Sequence, residues 1–148
     1  MTTTTAPRQT STAARRFGYL VAVGVNVVLL YLINVAPGWQ ELTFLTSATV
    51  SVLTWVNTSL VAGIVANVVY VLDDAPGIRA FGDLVTTSIG LAAIVRVWQV
   101  FPFAFDHRGL PWEPVIRVLL VVAGVGSAIA IVVQLVTLVR LAAKGSRP

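Results

Sequence analysis

The chain has 148 residues, enough for one core, with 57% hydrophobic and 11% charged residues and a mean hydropathy of +0.88; this is the balance of a chain whose solvent is lipid. No cysteine is present, which excludes disulfides, thiolate metal sites and thiol nucleophiles. The net charge of +4 does not indicate a nucleic-acid partner, because the basic residues flank hydrophobic runs and form no stripe on a polar face.

The opening MTTTTAPRQTSTAARR has no apolar period and is expected to be a disordered cytoplasmic tail over 1–16. Four apolar runs follow at 17–36, 43–72, 84–105 and 115–143, each long enough for the roughly 20 helical residues that cross a bilayer core. The first run is longer than a signal-peptide core and has no clean small-residue exit site before Pro37, so it is expected to be retained. Pro37 and Gly38 stop the first run, and Asp73, Asp74, Ala75, Pro76 and Gly77 break the chain after the second. Asp83 is expected to N-cap the third, and Pro114 suits the first turn of the fourth. Residues 144–148 form a second short tail. Backbone groups in lipid need internal partners and no alternating strands are present, so the expected fold class is an all-α membrane protein: an antiparallel four-transmembrane-helix bundle with short loops.

Arg8, Arg15, Arg16, Arg79, Arg140, Lys144 and Arg147 fall on one side of these spans, and only Arg108 and Arg117 on the other. The positive-inside rule then places both termini in the cytoplasm and the chain in a cell's inner membrane, where the arginine-rich basic set suggests a bacterium. Trp39 and Trp112 at one set of ends and Tyr19 and Tyr70 at the other read as interfacial anchors. In size and helix number the chain resembles the four-helix small multidrug exporters and the fluoride channels, but the signature residues of neither family are present.

Small and polar residues recur at three- and four-residue spacing on each span: Ser47, Ser51, Thr54, Thr58, Ala62 and Ala66 on the second, and Ala123, Ser127, Ala130, Gln134 and Thr137 on the fourth. Such faces let membrane helices approach closely, so these rows are expected to be buried between neighbours. A second small pair on the fourth span, Gly124 and Ala128, is a candidate face for a second copy or a larger membrane partner. Asn26 and Asn57 fall near the bilayer midplane, where they are expected to bond each other or to belong to a polar pathway.

Arg96 interrupts the third run. Counted from a helix start at Asp83 it lies roughly 20 Å along the axis, just outside the midplane, at the depth expected for Asn34, Ser47 and Ser51, with Gln99 one turn further on. No carboxylate is expected inside a span. Two readings follow: Arg96 reaches an outer carboxylate, Glu41 or Asp106, or is satisfied by Asn34 and free carbonyls, and so ties the helices together; or Arg96, with Arg117, lines an outward-facing polar cavity that takes an anionic group. Phe101, Phe103 and Phe105 read as packing residues. His107 stands alone, so no metal or other cofactor is expected. No nucleophile, base and orienter arrangement and no phosphate-cradling glycine pattern occurs. The sequence therefore points to a small non-enzymatic accessory, assembly or oligomer-forming membrane subunit. The alternative is a transporter, flippase or channel component for an anionic or amphiphilic solute using Arg96, and a third reading is a lipid-modifying intramembrane enzyme.

Overall fold

The computed structural model describes residues 11–105 and 111–145. It contains four long helices, α1 (Thr12–Asn34), α2 (Val50–Leu72, entered through a 3-10 turn at Ser47–Thr49), α3 (Pro76–Val100) and α4 (Trp112–Gly145). All four are long and apolar enough to cross a membrane, the architecture of a multi-pass membrane protein.

The helix ends follow local chemistry, and several differ from the expected spans. α1 starts inside the expected tail because the Ser11 hydroxyl accepts the Ala14 N–H at 3.2 Å, an N-cap that makes 12–16 helical. α3 starts seven residues before Asp83: Ala75 is its N-cap and Pro76 takes the first helical position, where its missing N–H costs nothing. Asp83 is therefore an interior residue of α3, so a carboxylate does lie inside a helix. α3 ends at Val100, before Pro102, whose ring disfavours a helical conformation at Phe101. Phe101 turns into the left-handed region at φ 43° while its N–H still reaches the Val97 carbonyl at 2.8 Å. Residues 43–46, expected to be helical, instead meet the segment after α3. Thr46 N–H donates to the Pro102 carbonyl and Ala104 N–H to the Phe44 carbonyl, both at 2.9 Å, around an isolated bridge between Leu45 and Phe103. Gly38, buried at φ 85° and bonded through its N–H to the Leu32 carbonyl at 3.0 Å, turns the chain out of α1 where a side chain would be strained.

The helices pack as an open series: α1 on α2, α2 on α3, α3 on α4, with no substantial α1–α4 interface among the described residues. α1 and α4 contain no buried residue. The close approaches use the smallest side chains. Ala80 and Ala93 of α3 are buried, Gly63 of α2 lies against Asn26, and Gly124 of α4 faces Leu91 and Ile94 of α3. The hydroxyl row of α2 is not buried as expected: Ser47, Ser51, Thr54 and Thr58 are exposed. Their own helix explains why. The Ser51 hydroxyl donates to the Ala48 carbonyl and that of Thr58 to the Thr54 carbonyl, each at 2.7 Å, so neither needs a neighbouring helix.

Candidate functional site

The most enclosed polar cluster lies where α2 turns into α3. Tyr70 is 5% exposed; its hydroxyl donates to Asp83 Oδ1 at 2.9 Å, with the Arg79 carbonyl at 3.2 Å. Its ring meets Tyr19 of α1 edge-on, with centroids 5.5 Å apart. This geometry requires Gly82, because a Cβ there would run into the Tyr70 hydroxyl and ring. Beside it Arg15 Nε donates to Asp74 Oδ2 at 2.9 Å, and Asp73 caps the turn by accepting the Ala75 N–H at 3.0 Å. One cluster thus joins α1, α2 and α3 at a single end. Tyr19 and Tyr70, expected to be separate membrane anchors, form its aromatic part. The expected start of α3 at Asp83 concealed this arrangement; the readable signal was Pro76, a residue suited to a helix's first turn.

From this cluster a groove of about 830 Å³ runs between α2 and α3. Thr54, Asn57, Thr58, Tyr70 and Thr86 supply its polar lining; Val61, Val65, Val69, Ile78, Phe81 and Val85 make most of the rest apolar. Further towards the other end, a second concavity of about 630 Å³ is lined by Trp55 of α2 and by Ser88, Leu91, Ala92, Val95, Arg96 and Gln99 of α3. Arg96 is half-buried there. Among the described residues no carboxylate lies within ion-pair distance of it, and the only ion pairs are Arg15–Asp74 and Arg117–Glu113. Glu41 is therefore not its partner; Asp106 lies outside the described residues.

The earlier start of α3 also changes the depth of Arg96. The 20 residues from Pro76 make roughly 30 Å of helix, leaving about 6 Å to Val100. Arg96 therefore sits near the end of α3, not close to its middle.

The other expected site residues are distributed differently. Gln99 does share the Arg96 concavity. Asn34 does not: its amide donates to Asn57 at 3.0 Å and accepts from it at 2.8 Å, a reciprocal pair that joins α1 to α2. The expected Asn26–Asn57 pair is absent because Asn26 donates to the Ala22 carbonyl at 2.7 Å and packs on Gly63. Ser47 and Ser51 lie at the start of α2 and do not line the concavity. Arg117 is engaged elsewhere. It pairs with Glu113 one turn back at 3.0 Å, and its guanidinium lies 4.2 Å from the Phe101 ring centre and 5.3 Å from that of Trp98. Phe101 thus packs against a cation, while Phe103 stacks on Phe105 at 5.9 Å and Phe105 on Phe44 at 6.2 Å. Of the Gly124/Ala128 face, Gly124 is covered by α3 and Ala128 is exposed. His107 and Arg108 lie outside the described residues. Among the described residues no group of metal-ligating side chains occurs.

Comparison with known proteins yields no matching family model, no curated relative and no matching solved structure.

Proposed function

We propose that this chain is a non-enzymatic accessory or assembly subunit of a cell's inner membrane, with antiparallel helices and both termini in the cytoplasm, that completes itself against another membrane helix. The observation that carries this reading is the uncovered face of α2: Ser51, Thr54 and Thr58 are exposed beside a groove of about 830 Å³. Faces of small side chains let membrane helices approach closely even where the hydroxyls are bonded to their own backbone, and larger apolar side chains gain little over lipid. An open series of helices with so few buried residues leaves such a face free for a second copy or a larger partner. Ala128, exposed on α4, offers a second and smaller contact.

Purification from native membranes under mild detergent tests this. A second copy or a larger membrane protein should be retained in fixed ratio, and Thr54→Ile with Thr58→Ile should release it while the chain stays folded. An exclusively monomeric wild-type product would overturn the reading. Because the chain has no native cysteine, single cysteines at Ser11, Thr43 and Gly145 report the topology directly. Only the one at Thr43 should react with an impermeant maleimide added to intact cells.

A second reading, a transporter, flippase or channel component for an anionic or amphiphilic solute, draws support from Arg96, which lines an open concavity with no carboxylate partner among the described residues. Solute flux into proteoliposomes that is abolished by Arg96→Gln would favour it over the subunit role.

A further inference from the structure

We infer that the concavity around Arg96 is a binding site for the phosphate group of a membrane phospholipid, whose acyl chain runs down the apolar floor of that concavity. The inference rests on the membrane placement proposed above and not on the subunit role.

Three side chains of the concavity carry N–H donors, and Gln99 and Ser88 add an acceptor oxygen each. Arg96 offers the N–H groups of its guanidinium, Gln99 an amide and Trp55 an indole N–H, and all three line one space. None of them has a hydrogen-bond or ion-pair partner among the described residues. The remaining polar group, the Ser88 hydroxyl, donates to the Leu84 carbonyl at 2.7 Å, which leaves its oxygen turned to accepting. A site with several donors and one fixed positive charge, with no carboxylate among the described residues, is complementary to an anion. A planar guanidinium suits the oxygens of a phosphate in particular.

Depth selects the source of that anion. A charge held at the centre of a bilayer is costly even on insertion scales. Arg96 avoids most of this by lying about 6 Å from the end of α3, from where a long side chain extends to the headgroup level. The phosphate layer of the leaflet facing that end is then within reach. The rest of the molecule fits the same ligand. Leu91, Ala92 and Val95 make the floor below Arg96 apolar. An acyl chain spans half of a hydrocarbon core of about 30 Å. That is about ten residues of helix, the stretch of α3 from Arg96 down past Val95, Ala92, Leu91 and Ser88. Arg117 provides the internal contrast: its charge is already balanced by Glu113 and two aromatic faces, so it is not free for an anion.

The experiment is native mass spectrometry of the full chain in detergent. The probes are dioleoyl phosphatidylglycerol and, as control, a dioleoyl galactolipid that lacks phosphate. The wild type should retain one phosphatidylglycerol about tenfold more strongly than the galactolipid. Arg96→Gln should abolish that preference, Arg96→Lys should keep part of it, and Arg117→Gln should leave it intact. Circular dichroism and gel filtration establish that each variant is folded, and Arg96→Lys keeps the test decisive where Arg96→Gln is not. Equal retention of the two lipids by the wild type, or an unchanged preference in folded Arg96→Gln, would overturn the proposal. So would displacement of the bound lipid by millimolar inorganic phosphate, which would assign the site to a free anion. Failure of the membrane placement would appear separately, as maleimide labelling at Ser11 or Gly145 in intact cells.

Discussion

The two polar ends of the α2–α3 pair solve the same problem in opposite ways. At the turn between the helices the most buried strong groups have partners within the chain: Tyr70 with Asp83, Arg15 with Asp74, and nearby Asp73 with the backbone of Ala75. At the far end Arg96, Gln99 and Trp55 share a concavity with no partner among the described residues. A closed set of hydrogen bonds stabilises the fold, because each buried group left unmade would cost its full desolvation. An open set does nothing for the isolated chain and keeps its interaction energy for something else. That difference separates the residues that hold this protein together from the residues available for function.

Five substitutions, one of them as a second change on another, sharpen or break the contrast, read as unfolding by sodium dodecyl sulfate in mixed micelles. The largest effect is expected for Gly82→Val. The added side chain has no room beside the Tyr70 hydroxyl, and overpacking of this kind costs about 3 kcal/mol; wild-type stability in this variant would mean that the cluster is not closed. Tyr70→Phe comes next, at about 2 kcal/mol, because it strips a charged acceptor of its donor and leaves the Asp83 carboxylate unsatisfied. Adding Asp83→Leu to it should recover part of that loss, since removing both partners is cheaper than orphaning one. Arg15→Ala should cost less than about 1 kcal/mol and lose even that at high salt, the pair with Asp74 being partly exposed. Smallest of all is Arg96→Leu, expected within about 0.5 kcal/mol of wild type in lipid-free micelles, as for a substitution that breaks no hydrogen bond or ion pair among the described residues. A loss as large as that of Tyr70→Phe would show that Arg96 is structural after all.

The existence of four apolar helices was legible because hydropathy over a span is additive and needs no knowledge of neighbours. The two unusual features of α3 were only half legible. Arg96 was visible as a charge in an apolar run, but its depth depends on where the helix begins. The choice between Pro76 and Asp83 moves it by seven residues, roughly 10 Å. Asp83 was misplaced for the same reason, and the cluster with Tyr70 and Tyr19 was lost with it. Hydroxyl rows misled in a different way. Spacing shows that Ser51, Thr54 and Thr58 share a face, yet it cannot show whether those hydroxyls seek another helix or their own backbone, and here those of Ser51 and Thr58 take the backbone.

By itself the sequence determined that the chain is helical, that its helices are long and apolar enough for lipid, and where most of its breaks fall, because these depend on composition and on local backbone chemistry. Tertiary structure decided the rest: that the helices pack in an open series, that Asn34 and not Asn26 meets Asn57, and that Arg96 shares its space with Gln99 and Trp55. Those outcomes depend on helix rotation and axial register, and a shift of one residue turns a side chain by about 100°. A pattern that repeats every three or four residues constrains the face of a helix but does not choose the neighbour it meets.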